Sequence, residues 1–225
     1  MKLVVLGATG GTGLQVVEQA LCQGHHVVAV VRNRSNFSVR HDNLKIVEGD
    51  ILSPTLNLTR VLQGQDAVMS CLGKRTSFWN FYDSFVRRVS LYTDSMEVIV
   101  KAMREAGVKR LICMTSWFVT YDPRWPGPWI VEWIVKPLLL GRIFTNMVAM
   151  EDYLAKQCSD INYTIVRPPE LNDEPVSGKA ITVVEDRPSV GDAVNNMTRA
   201  DVAEFMLSAL KRDAYDKKIV AIGYK

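Results

Sequence analysis

Apolar residues follow two spacings along this chain. Short runs of strand length, Leu3–Leu6, His26–Val31, Leu44–Glu48, Ala67–Leu72, Lys109–Met114 and Ile161–Val166, read as strands buried on both faces. Between them, apolar positions recur every three or four residues. Leu14, Val17 and Leu21 make one helical stripe, with Gln15, Glu18 and Gln19 on the other side. Val89, Met96, Val100 and Met103 make a second, stopped by Gly107. Val202, Phe205, Met206 and Leu210 make a third behind Thr198, with Asp201 in a capping-box position. Shorter helices are expected over 56–62 and 145–157, and further strands over Ala180–Val184 and Ile219–Ile222. Strand and helix alternate without repeats, low-complexity tracts or a linker. That order predicts α/β architecture: one doubly wound, mostly parallel sheet with helices on both faces.

The first strand runs straight into Gly7-Ala8-Thr9-Gly10-Gly11-Thr12-Gly13 and then into a helix. Strand, glycine turn and helix form the opening crossover of a Rossmann-type nucleotide site. Glycines let the backbone turn tightly and let a pyrophosphate approach without meeting a Cβ. The helix start presents free N–H groups and the positive end of its dipole. The second strand ends in Arg32-Asn33-Arg34, where an NAD site would place an acid for the ribose 2′-hydroxyl. Two arginines suit a 2′-phosphate, so NADPH is the expected cofactor. Asp50, at the exit of the third strand, is placed for the adenine amino group or for a turn cap.

Composition keeps this picture and trims its alternatives. The chain has 225 residues, 48% hydrophobic and 23% charged, which fits one large domain spanning 1–225. A net charge of +3 gives no reason to expect nucleic acid or an anionic membrane surface as partner. Cys22, Cys71, Cys113 and Cys158 are scattered and read as buried free thiols in a reducing compartment. His25, His26 and His41 lack ligand spacing, so no metal is expected. The first strand begins at Lys2, so neither a signal peptide nor a membrane span is expected, and the location is cytoplasmic. The apolar stretch 129–144 contains Glu132, Lys136, Pro137 and Arg142 and reads as a protein-buried helix. Phe78, Trp79, Phe81, Tyr82 and Phe85 form an aromatic run that fits a substrate lid or a packing cluster equally.

A Tyr-x-x-x-Lys pair, in which lysine lowers a tyrosine pKa for alcohol–ketone chemistry, is absent. Tyr153 precedes Lys156 by one step too few, a shift of about 100° around a helix. The chain is therefore expected to serve acceptors that need no strong protein acid.

The glycine turn, Val31-Arg32-Asn33, Gly49-Asp50, Gly64-Gln65-Asp66-Ala67-Val68, Thr115-Ser116, Tyr121-Asp122-Pro123, Pro168-Pro169 and Phe205-Met206-Leu207 occur in order along nearly the whole chain. This ordered set resembles the NADPH-dependent flavin reductase / biliverdin-IXβ reductase family, an atypical short-chain dehydrogenase/reductase group with NmrA-like NAD(P)-binding relatives. The resemblance implies a single domain, often monomeric, with a shallow site for a small-molecule substrate. It places Gly7, Thr9, Gly10, Gly11, Thr12 and Gly13 at the phosphates, Arg32 and Arg34 at the 2′-phosphate and Asp50 at the adenine. Leu72 and Gly73 would lie along the ribose, Thr115 and Ser116 at the nicotinamide, and Pro168 and Pro169 beside its ring. Ser116 and Glu170 are the candidate catalytic residues, and Trp117, Arg124 and Trp125 the candidate substrate contacts. Glu170 stands where mammalian members carry histidine, and a carboxylate of raised pKa there would donate a proton. Residues near 75–95 and 125–146 read as substrate-side insertions. The implied reaction is hydride transfer from NADPH to a flavin or to the central methine of a linear tetrapyrrole. An NADP(H)-sensing protein without turnover, like the NmrA relatives, is the competing reading.

Overall fold

The computed structural model describes residues 1–73, 90–119, 141–190 and 196–225. Arg124, Trp125, Val89, the aromatic run 78–85, the loop 122–128 and residues 129–140 lie outside the described residues, as do most of the two expected insertions.

The strands are β1 Lys2–Leu6, β2 His26–Val31, β3 Leu44–Glu48, β4 Ala67–Ser70, β5 Arg110–Met114, β6 Asn162–Arg167, β7 Glu170–Asn172, β8 Ile181–Glu185, β9 Asn196–Thr198 and β10 Lys218–Tyr224. The α-helices are α1 Gly11–Cys22, α2 Leu58–Leu62, α3 Leu91–Ala106, α4 Gly141–Gln157 and α5 Arg199–Ala209. One eight-stranded sheet has the order β3-β2-β1-β4-β5-β6-β10-β8, parallel except for the β10–β8 edge. The order reverses between β1 and β4, which makes their carboxyl ends the switch point of a Rossmann-type fold.

The uninterrupted apolar runs have the expected cause. Leu3 and Val5 point into one core, which α1 and α5 cover; Val4 and Leu6 point into the other, which α2, α3 and α4 cover. Helix α3 ends at Gly107, whose φ of +75° is the left-handed stop its sequence announced. Helix α5 is buried nearly all round, wedged between α1 and the sheet, so its stripe is wider than the four residues predicted.

Three expectations change. Cys22 is exposed, because it closes α1 on the solvent side of the last turn; Cys71, Cys113 and Cys158 are buried. The short strands β7 and β9 were not predicted and form a separate parallel pair, with Glu170 opposite Asn196 and Asn172 opposite Thr198. The capping box at α5 is only half made. Thr198 Oγ1 accepts from the Asp201 N–H at 3.0 Å, but the Asp201 carboxylate takes hydrogen bonds from Ser177 and Tyr224 instead of returning to Thr198. The Tyr224 hydroxyl accepts from the Thr198 N–H at 3.0 Å and closes the circuit.

Candidate functional site

The parallel strands end level, and backbone hydrogen bonds hold their exits together. The Gly49 N–H donates to Val31 O (2.8 Å), which sets Asp50 beside Arg32 and Arg34. The Cys71 N–H donates to Leu6 O (2.9 Å), which sets Leu72 and Gly73 beside the glycine turn. The Thr115 N–H donates to Val166 O and the Trp117 N–H to Pro168 O, both at 2.9 Å. Thr115, Ser116, Trp117, Pro168, Pro169 and Glu170 therefore share one corner. The sequence separated these segments by up to about 50 positions; the sheet brings them to one edge.

Within the turn the glycines do different work. Gly7 has a φ of +78°, and a Cβ on it would sit 2.5 Å from Cys71 O, so only glycine lets β1 turn against β4. A Cβ on Gly13 would lie 2.2 Å from Gly7 O, so Gly13 lets α1 start tight against the turn. The first intrahelical bond of α1 runs from the Leu14 N–H to Gly10 O (2.8 Å), and the cap residue Gly10 has no side chain to cover the N–H groups before it. Those of Gly11, Thr12 and Gly13 are the orphan donors that an anion would satisfy. A pyrophosphate fits this start.

Arg32 and Arg34 are both exposed at the carboxyl end of β2, and neither side chain forms a hydrogen bond or ion pair among the described residues. Asn33 between them caps its own turn, accepting from the Ser35 N–H (2.9 Å) and the Ser35 hydroxyl (2.7 Å). Asp50, also exposed, accepts from the Leu52 N–H at 2.9 Å. It is thus a turn cap in this structure.

At the opposite corner, Ser116 is half-buried and its Oγ accepts from the Phe118 N–H at 3.4 Å. Glu170 is exposed at the head of β7. Trp117 is 6% exposed, and its indole N–H has no hydrogen-bond partner among the described residues. The Thr115 side chain turns inward: its hydroxyl donates to Glu151 Oε1 at 2.7 Å. Glu151, on α4, also receives Arg167 through Nε (3.1 Å) and Nη2 (2.5 Å), and the two side chains are 4% and 8% exposed. Arg167 Nη1 donates in turn to Arg187 O at 3.4 Å. This buried pair underlies the Thr115–Ser116 and Pro168–Pro169 corner. The sequence reading missed Glu151, although an acid sharing a stripe with Met147, Met150 and Leu154 was a visible sign.

Among the described residues, Tyr153 and Lys156 do not form such a pair in space either. Burial and the neighbouring Cys158 push the Tyr153 hydroxyl up to about 12, the reverse of what a catalytic phenol needs. Lys156 instead pairs with Asp152 at 2.7 Å along α4. Among the described residues, no group of three His, Cys, Asp or Glu side chains is placed to hold a metal. No described helix is long and apolar enough to cross a membrane.

A family model described as NAD(P)H-binding matches residues 7–213. The chain belongs to that NAD(P)H-binding family. An uncharacterized chloroplastic protein of Arabidopsis thaliana is 32% identical over 98% of this chain and 76% of its own length. The photosystem II assembly factor Ycf39 of Synechocystis is 26% identical over 97% of this chain, which spans 61% of that protein. Among solved structures, the oxidoreductase ylbE of Lactococcus lactis superposes with a TM-score of 0.77 at 20% identity, over 100% of this chain and 91% of that one. SP1627 of Streptococcus pneumoniae, assigned a proposed NADH-flavin reductase activity, gives 0.76 at 22% identity over 100% of both chains. A short-chain dehydrogenase/reductase of Veillonella parvula in complex with NADP gives 0.74 at 16% identity, over 99% and 94%. These structural likenesses establish the fold, a Rossmann-like α/β scaffold.

Proposed function

We propose that this chain is an NADPH-dependent reductase of flavins (FMN, FAD, riboflavin), with biliverdin-type linear tetrapyrroles as a further class of acceptor. The observation that carries the cofactor choice is the pair of exposed arginines, Arg32 and Arg34, at the end of β2, where an acid would favour NAD. Bound cofactor would supply the hydride; the chain supplies position. The orphan N–H groups of Gly11, Thr12 and Gly13 hold the pyrophosphate, Arg32 and Arg34 the 2′-phosphate, and the Thr115–Ser116 and Pro168–Pro169 corner the reacting ring. Flavins suit this corner because the second proton can come from water, and no described tyrosine–lysine pair is poised to give one.

That same lack of a poised acid supports a second reading, an NADP(H)-binding sensor without turnover. Anaerobic loss of NADPH absorbance with excess FMN separates the two. Protein-dependent oxidation, slower with NADH, is the reductase outcome; tight NADPH binding without oxidation of FMN or biliverdin is the sensor outcome. In the reductase, Arg32→Ala raises the NADPH KM by about tenfold, the worth of one charge-assisted hydrogen bond, and leaves the NADH KM near its starting value. Equal changes for both cofactors overturn the 2′-phosphate assignment.

A further inference from the structure

One side chain from the far end of the sequence lies across the first residue of α1. A Cβ built on Gly11 would sit 2.5 Å from Cδ and 2.8 Å from Nε of Arg199, and 3.5 Å from Oδ1 of Asp173. Gly11 thus leaves the room that the arginine stem occupies. The β7–β9 ladder explains how Arg199 gets there. Its last pair is Asn172 with Thr198, so the next residues on the two strands, Asp173 and Arg199, emerge side by side. Arg199 Nη1 and Asp173 Oδ1 are 2.7 Å apart.

The partners are unequal. The Arg199 side chain is 28% exposed and held by its stem, whereas Asp173 is 85% exposed. A carboxylate that remains so hydrated gives up little when it loses its partner. The guanidinium, by contrast, stands beside Gly11, where α1 begins with its orphan N–H groups. Helix-start N–H groups and a forked cation are the two donor types that phosphate oxygens take best.

We propose that Arg199 is a pyrophosphate-binding residue, and that it exchanges its ion pair with Asp173 for the phosphates of the bound dinucleotide. Asp173 then competes with the nucleotide for one guanidinium and sets how tightly the cofactor is held. Arg199 reads the pyrophosphate common to NADPH and NADH, so it acts on both, unlike Arg32.

The inference rests on the nucleotide occupying the glycine turn, and the test separates the two. Calorimetric titrations use the full chain with NADPH, NADH and adenosine 2′-monophosphate, which lacks the pyrophosphate. Wild-type protein that binds neither dinucleotide removes the cofactor reading itself. With wild-type binding in place, Arg199→Ala is expected to weaken NADPH and NADH alike by tenfold or more and to leave adenosine 2′-monophosphate unchanged. Arg199→Lys keeps the stem on Gly11 and the charge, and is expected to recover part of the loss. Asp173→Asn, which leaves the guanidinium in place, is expected to tighten both dinucleotides about threefold. Unchanged dinucleotide affinity in Arg199→Ala, or an equal loss for adenosine 2′-monophosphate, overturns the assignment. An Asp173→Asn protein that binds no tighter overturns the competition.

Discussion

Removing the Glu151 carboxylate tests the corner on which the reactive end of the site rests. Among the described residues, Glu151→Ala leaves the Arg167 guanidinium, 8% exposed, with only its 3.4 Å bond to Arg187 O, and leaves the Thr115 hydroxyl without its acceptor. Breaking a buried pair from one side costs about 3–5 kcal/mol, because the remaining charge stays buried without its partner. Against a total stability of about 5–15 kcal/mol, that is a large share. For a chain of this size each kcal/mol moves the melting temperature by about 2–4 °C, so the expected fall is roughly 6–20 °C. Urea unfolding followed by circular dichroism gives the free energy directly. Glu151→Gln, which keeps an oxygen for Thr115, should lose less. The Glu151→Leu/Arg167→Met double variant should lose less than Glu151→Ala, since it removes both charges together. A Glu151→Ala protein within about 1 °C of wild type, or a double variant worse than the sum of its parts, refutes the reasoning.

Three further outcomes follow from the geometry. In Gly13→Ala the new Cβ meets Gly7 O at 2.2 Å, and backbone has to move; a loss of about 1–3 kcal/mol together with NADPH binding is expected, and an unchanged melting temperature and affinity would contradict it. Tyr153→Phe should leave hydride transfer in single-turnover mixing at the wild-type rate, because that hydroxyl faces Cys158; a hundredfold drop would restore the tyrosine to the chemistry. For Asp201, burial pushes the carboxyl up, but hydrogen bonds from Ser177 and Tyr224 outweigh it and hold the group below its ordinary value. A depressed carboxylate stabilises the fold above its unfolded value near 3.9 and loses that contribution as pH falls through the folded value. The melting-temperature gap between wild type and Asp201→Asn should therefore be widest above about pH 5 and close on acidification below about pH 4; a gap that is constant with pH would count against it.

The sheet was legible because its strands are buried on both faces. Leu3–Leu6 and Ala67–Met69 carry no polar residue, so run length alone marked them. The glycine turn was legible for a related reason: glycines at 7 and 13 stand where backbone meets backbone, and such positions admit no other residue. Strands β7 and β9 escaped because three residues are too few to show a period. With them went the Asp173–Arg199 pair, which depends on a register between segments 26 positions apart. Glu151 was hidden by expectation rather than by signal. Its place among buried methionines marked it, but its partner, Arg167, lies one residue beyond the strand expected over 161–166.

The packing of α5 on α1 also orders events in time. Gln19 Nε2 donates to Ala200 O at 2.8 Å across 181 positions, and Val16, Val17 and Ala20 are enclosed only once α5 arrives. On a ribosome adding about 5–20 residues per second, the nucleotide-binding helix waits roughly 9–36 s for its covering partner. During synthesis its apolar side stays open to chaperones or to the wrong neighbour, and a chain stalled before residue 199 carries a complete glycine turn on an unfinished support.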